Sequence, residues 1–413
     1  MQVVVSHPTG NRNVRAVIDN LLAADLLAEF CTTLAVAPDS FVLKLLPAAL
    51  RRELQRRAFD IPFHKIFTHP QREVLRILLP KAGLHQFTRY EDSFAGIDKV
   101  YQDFDQNTAK RLTTLAKNKN VDAVYAYEDG ALATFQKAKE LGIKCIYDLP
   151  IAYWEYGRKL MEAEARRLPD WACTLGGGIN DSEEKLERKT KEMELADMIV
   201  APGTFVTRSL PEWAKTKFVH VSPFGSPASD ETSKKEQSNR RLRVLFAGSM
   251  GQRKGLGDLF EAMKLLKTSQ IELVVMGSLL APMEFYRTQY ADFTYEPGRP
   301  HDQVLALMRS CDVFCLPSIV EGRALVMQEA MSQGLPIIIT PNTGGEDLII
   351  PGKTGFLVPV SSAESIAEKL TWFLENRTEI PQMGIFARQH SATYTWDAYG
   401  SSIGAALTKQ FGG

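Results

Sequence analysis

The sequence predicts a parallel α/β protein of two halves that face one another across a cleft. Three observations carry this. Short apolar runs alternate with amphipathic helical stretches along the chain. The alternation stops at a polar, aperiodic stretch, 227–241, which reads as a surface linker, and then restarts. The loops after several apolar runs are rich in glycine and charge, and open parallel sheets bind ligands just beyond their strand ends.

In the first half, strands are predicted at 2–6, 32–37, 123–127, 144–148, 198–201 and 218–221. Helices are predicted at 13–28, 48–57, 106–117, 130–141 and 182–195. The second half places strands at 242–247, 271–276, 313–316 and 336–340, and a turn with a short strand at 352–358. Its helices fall at 256–267, 303–309, 324–333 and 363–376. The apolar stretch 396–411 follows the natural end of the second half and has the length to pack back on the first. The expected division is residues 1–222, residues 223–395, and a C-terminal helix within 396–413 that crosses back.

At 413 residues and 45% apolar composition the chain can fill two cores. Basic and acidic side chains balance at 49 each, so no overall field favours nucleic acid. The five cysteines are odd in number and lack disulfide-like spacing, which fits a reducing cytosol. Cys311 and Cys315, without a nearby His, read as buried thiols flanking a strand. No charged-then-apolar leader precedes the first strand, and no apolar run reaches the roughly 18 residues of a membrane span. A cytoplasmic protein is expected. The stretch 41–57, with Arg51, Arg52, Arg56 and Arg57, is basic and amphipathic. It reads either as a solvated helix face or as a peripheral contact with anionic headgroups at the inner face of a membrane.

The chemistry is expected in the loops after the strands. Gly248-Ser249-Met250-Gly251-Gln252-Arg253-Lys254-Gly255 follows the strand 242–247. Its glycines let backbone approach a ligand, and Arg253 and Lys254 can neutralise a diphosphate. The spacing fits neither a dinucleotide fingerprint nor a Walker-type loop. Glu321 and Glu329 stand eight positions apart around the start of the helix 324–333. Eight helical residues rise about 12 Å, farther than the roughly 5 to 9.5 Å between a glycosidase's two carboxyls. Such a spacing suits a ligand with hydroxyls at both ends and a diphosphate at the helix start. Gly344-Gly345 and Gly352 to Gly355 read as turns, the first also as room for a ligand at the cleft edge.

In the first half, the loop from His7 to Asn13 contains Gly10 and either caps a helix through Asn11 or Asn13 or touches substrate. Glu128-Asp129 and the stretch from Asp148 to Trp154 share that sheet edge. Tyr153, Trp154 and Tyr156 read as core or as a carbohydrate-stacking surface. Asp103-Phe104-Asp105 matches a short metal-binding pattern, but it follows no clear strand, and Asp105 reads as the cap of the helix from Gln106; no metal site is assigned.

Taken in order, these loops resemble the retaining glycosyltransferases of family 4, which have the GT-B fold of two Rossmann-like domains facing a cleft. The resemblance is carried by Gly248-Ser249 with Arg253-Lys254, by Pro317-Ser318 ahead of Glu321-Gly322, and by the Glu321 to Glu329 spacing. Gly334-Leu335-Pro336, Gly352 with Gly355-Phe356-Leu357-Val358-Pro359, and Ala196-Asp197 before Met198 complete it. It implies transfer of a sugar from a nucleotide-diphosphate donor to an acceptor hydroxyl, with the anomeric configuration kept and no metal or other cofactor. Residues 1–222 would bind the acceptor and 223–395 the donor. Arg253 and Lys254 would hold the diphosphate, Glu321 the transferred sugar and Glu329 the ribose. Gly248, Ser249, Gly322 and the amides of Ala324, Leu325 and Val326 would complete the donor site, and Gly10 and Asn11 would face donor and acceptor. Two positions depart from the family pattern. A His after a middle strand of the first domain is absent from Tyr147 to Tyr153, leaving Asp148 as a stand-in, and the usual aromatic after Glu-Gly is Arg323. The same fold also serves nucleotide-sugar epimerases and hydrolases, and a binding protein without turnover is the non-enzymatic alternative.

Overall fold

The computed structural model describes residues 1–38, 40–45, 47–118, 120–176, 178–228 and 240–412. Two parallel sheets organise them. The first contains β1 (Val3–Ser6), β2 (Leu27–Thr32), β3 (Ile66–Thr68), β4 (Ala123–Tyr127), β5 (Lys144–Asp148), β6 (Met198–Ala201) and β7 (Phe218–Val221), in the order β3-β2-β1-β4-β5-β6-β7. The second contains β8 (Leu242–Ala247), β9 (Ile271–Met276), β10 (Phe293–Glu296), β11 (Val313–Leu316), β12 (Ile337–Ile339) and β13 (Gly355–Leu357), in the order β10-β9-β8-β11-β12-β13. The central strands β1, β4, β8 and β11 are buried almost throughout, which explains why they are mostly apolar runs (Val, Ala, Leu, Phe, Tyr and Cys) rather than alternating patterns. These are two Rossmann-like α/β domains, as the sequence predicts.

The predicted strand 32–37 is displaced. Helix Arg12–Ala23 stops at Ala24, Asp25 turns the chain with φ +53°, and the strand runs from Leu27 to Thr32. Leu26, Leu27 and Ala28 continue the helical spacing, which is why the sequence hides the break. Glu29 in the middle of the strand disguises it further; its buried carboxylate is neutralised by Arg111 at 2.6 and 2.7 Å. The short edge strands β3 and β10 were not predicted. Part of the expected linker, residues 229–239, lies outside the described residues.

Helix Trp396–Phe411 lies on helix Arg12–Ala23. Gly400 and Gly404 face Ala16 and Asn20 closely, and Tyr399, Ile403 and Leu407 join the core beneath the first sheet. Traffic also runs the other way. Trp171, from the first-half segment after helix Trp154–Arg167, is buried in the core of the second sheet. No helix among the described residues is long and apolar enough to cross a membrane.

Asp103 and Asp105 both lie inside the longer helix Ile97–Asn118, and their side chains diverge. Asp103 meets His69 at 2.9 Å. Asp105 does not cap its own helix. It accepts the amides of Ala133 (2.7 Å) and Thr134 (2.9 Å) and so caps helix Leu132–Glu140 from outside. Arg57 is likewise withdrawn from the expected basic surface: it is buried and pairs with Glu73 and Glu53. Arg51, Arg52 and Arg56 remain at least partly exposed.

Candidate functional site

Strands β8 and β11 are neighbours, so the loops leaving their carboxyl ends lie side by side. The first ends in the short helical turn Gln252–Lys254, and the second runs from Pro317 into helix Leu325–Ser332. Ile319 donates its amide to the Arg253 carbonyl (2.9 Å), tying the loops together. The side chains converge at the same point. Glu321 Oε1 accepts from Arg253 Nη1 at 2.8 Å and lies 2.5 Å from Lys254 Nζ. Glu321 is buried, and burial lowers the Lys254 ammonium below its ordinary value while the Glu321 carboxylate opposes that shift. A concentrated pair of cations therefore exists with its own counter-charge, at a sheet edge where backbone donors are also available.

The first domain closes over this point. The carbonyl oxygen of Pro150 would lie only 1.6 Å from a Cβ at Gly322, so any larger residue there would force the domains apart. Ala152 donates its amide to the Glu321 carbonyl (3.3 Å). Asp148, at the end of β5, is thus two residues from the seam. It is fully buried, accepts from Asn13 Nδ2 at 3.3 Å, and is pushed up to about 7 by burial, with the Tyr125 phenol opposing.

Asn11 caps helix Arg12–Ala23, its side chain accepting the Val14 amide at 3.2 Å. Gly10 donates its amide to His7 Nδ1 at 2.8 Å, and Thr9 does so at 3.1 Å. Burial drives His7 down to about 3, with the Arg15 charge adding to the effect. The ring is neutral, with Nδ1 accepting and its proton on Nε2. Of the two residues read as the helix cap, Asn11 is the cap and Asn13 turns its side chain to Asp148; His7, read only as the start of that loop, is buried.

Other expected residues are placed differently. Glu321 is not on the helix: Ala324, with ψ 106°, is the last extended residue, and only Leu325–Ser332 is helical. The 12 Å argument from helical rise therefore fails. Glu329 is on the helix and meets His301 Nε2 at 3.1 Å. The Ala324 amide is spent on the Thr343 carbonyl (3.3 Å) and the Gly248 amide on Met276 (2.9 Å). Leu325 and Val326, in the first helical turn, have amides with no intrahelical acceptor. Ser249 stands beside Gly248 at the strand end, half-buried.

Arg323 points away from the site. Its buried guanidinium bonds Gln328 (2.8 Å), Asp347 (2.7 Å) and the Gly344 carbonyl (3.2 Å). Tyr153 is buried and Trp154 half-buried, and both bond Thr190; Tyr156 remains exposed beside Phe205.

Comparison with known proteins agrees with this geometry. Residues 228–390 match the family described as Glycosyl transferases group 1. The D-inositol 3-phosphate glycosyltransferase of Corynebacterium diphtheriae is 31% identical over 394 residues, covering 85% of each chain. The uncharacterized glycosyltransferase YqgM of Bacillus subtilis is 25% identical over 327 residues, covering 76% of this chain and 82% of its own. Among solved structures, Anabaena HepE in complex with UDP-glucose shares the fold with a TM-score of 0.60 at 14% identity, covering 99% of this chain and 100% of that one.

Proposed function

The chain belongs to the group 1 glycosyl transferases, and from that premise we propose that it is a family 4, retaining, metal-independent enzyme that moves a sugar from a nucleotide diphosphate to an acceptor hydroxyl. One observation carries the reading: Arg253 and Lys254 meet around Glu321 at the seam where the first domain touches Gly322. The complex of HepE with UDP-glucose supports a nucleotide sugar as the donor class.

In the proposed reaction the bond from the sugar's anomeric carbon to the diphosphate oxygen breaks. A bond to the acceptor oxygen forms on the same face, and the acceptor proton passes to the departing phosphate. Arg253 and Lys254, with the Leu325 and Val326 amides, stabilise the negative charge growing on that leaving group; removing one such preorganised donor typically costs about 3–4 kcal/mol. Glu321 engages the transferred sugar and Glu329 the ribose. Gly248, Ser249 and Gly322 give the donor room, and Gly10, Asn11 and Asp148 line the opposing face. Domain closure excludes water.

The test is a panel of nucleotide sugars scored first for thermal stabilisation and then for transfer. A true donor at millimolar concentration raises the melting temperature because binding adds to stability as the logarithm of ligand over Kd. Transfer should persist in excess EDTA and give a product with the donor's anomeric configuration. Release of free sugar alone, an inverted product, or loss of activity on chelation would each refute the corresponding part.

A membrane surface is the proposed site of work. Phe41, Leu45, Phe63, Tyr90 and Phe94 are each more than half exposed, and no other large apolar side chain among the described residues is. All five fall within 41–97, where the sequence has ten Lys and Arg against five Asp and Glu in a chain that is neutral overall, and the buried Arg57–Glu73 pair takes one of each from the surface. An anionic bilayer matches both properties, at about 1 kcal/mol per basic residue near the surface. The protein should co-sediment with vesicles containing phosphatidylserine and not with phosphatidylcholine alone. Changing Arg51, Arg52 and Arg56 together to Glu should abolish this; equal binding to both vesicle types, or to neither, rules it out.

A further inference from the structure

We infer that Gln252 is a positioning residue for the diphosphate-binding turn, and that the first half of the chain holds the turn through it. This rests on the donor site proposed above. Gln252 is fully buried and immediately precedes Arg253 and Lys254. Its backbone amide donates to Thr174 Oγ1 at 3.0 Å. Its side-chain amide donates to Glu164 at 2.6 Å and to Asp258 at 2.7 Å, and its Oε1 accepts the Gly257 amide at 2.8 Å. Both donor hydrogens and the carbonyl oxygen are therefore engaged.

Glu164 and Thr174 precede Gln252 by 88 and 78 positions and belong to the first-half segment that sends Trp171 into the second core. Arg167 fastens the arrangement, bonding Asp258 at 2.7 and 2.8 Å and Glu164 at 3.0 Å. Trp171 packs edge-on against Phe260, Phe285 and Tyr286, so the segment cannot drift from the loop without opening that core. Glycines on either side admit the contact. A Cβ at Gly251 would lie 2.5 Å from the Thr174 carbonyl oxygen, and one at Gly257 would lie 2.6 Å from Gln252 Oε1. Ile319 holds the other side of the turn through the Arg253 carbonyl. Clamped between these anchors, the turn has one way to direct its two cations, toward Glu321. Gln252 acts through them, from behind.

The probe is inorganic pyrophosphate, titrated calorimetrically into the full chain. Gln252→Ala and Gln252→Glu should each weaken binding about tenfold, the worth of one charged hydrogen bond, while circular dichroism and melting show a folded protein. The Glu variant keeps the shape but turns a double donor into a third carboxylate beside Glu164 and Asp258. Crowded carboxylates take up protons more readily. Its affinity relative to wild type should therefore recover between about pH 8 and pH 6, and that of the Ala variant should not. A role confined to stability would shift melting without this recovery. Thr174→Val, which removes a single hydrogen bond to the turn, is the milder variant and should weaken pyrophosphate binding several-fold. Lys254→Ala separates the two levels. Wild-type affinity in that variant would overturn the donor site and this inference together. Loss there, with wild-type affinity in folded Gln252 and Thr174 variants or a pH-independent deficit in Gln252→Glu, would overturn the positioning role alone.

Discussion

Lys254→Ala and Glu321→Ala should each reduce sugar transfer at least 100-fold in a protein that remains folded, as expected for loss of one preorganised group at a developing charge. The two should differ in ground-state binding. Without Lys254, Glu321 faces only Arg253, and the site has one cation for a ligand that carries at least two negative charges. Nucleoside diphosphate affinity should fall with the rate. Without Glu321, both cations lose the counter-charge that lies 2.8 and 2.5 Å away, so the same ligand should bind as well as or better than in wild type while transfer collapses. Lys254→Arg is no rescue, because a planar fork replaces a compact ammonium in a buried position. The double variant should be little worse than the singles, since residues acting as one unit are non-additive. Initial rates and diphosphate titrations on the same preparations decide the matter, and near-normal transfer in either single variant would remove these residues from the site.

Much of the scaffold was legible because parallel strands buried on both faces are continuous apolar runs. Ala123–Tyr127, Lys144–Asp148, Leu242–Ala247 and Val313–Leu316 stand out for that reason. Edge strands such as Ile66–Thr68 and Phe293–Glu296 are short and partly exposed, so nothing in their composition separates them from loops. The residues now paired at the site were legible as loop residues beyond strand ends, but the pairing itself was not. It depends on β8 lying beside β11, which the order of elements does not declare. The spacing from Glu321 to Glu329 misled because it was converted to distance as though all of it were helix. Contacts between distant segments left no trace either. Gln252 and Glu164 meet across 88 positions, and Asp105 caps a helix it does not belong to. Such pairs have no periodicity, and only the assembled fold reveals them.

Arg323 illustrates the same limit and yields the largest expected loss of stability. By position it stands where the family pattern has an aromatic. Its guanidinium instead lies fully buried over the Tyr394 ring, 4.9 Å from the centroid, and holds Gln328, Asp347 and the Gly344 carbonyl. Gln328 in turn donates to Phe224 and Ser226 at the junction between the domains. Arg323→Ala would strand the Gly344 carbonyl and one end of Gln328 and leave a cavity. Breaking a buried pair costs about 3–5 kcal/mol, less where water can reach the surviving partner. Asp347 is 43% exposed, so a loss of roughly 2–4 kcal/mol is expected. Burial pushes the Asp347 carboxyl up, but the Arg323 hydrogen bond and charge outweigh it and hold the group below its ordinary value. A carboxylate depressed in the folded state contributes stability above its unfolded value, near 4, and loses it as pH falls through the folded one. The gap between wild type and Arg323→Ala in urea midpoint should therefore narrow in acid, below about pH 4. Pyrophosphate binding at neutral pH, by contrast, should change little as long as the variant is folded. An unchanged midpoint, or a gap of constant size down to pH 3, would show that the guanidinium does not hold the junction together.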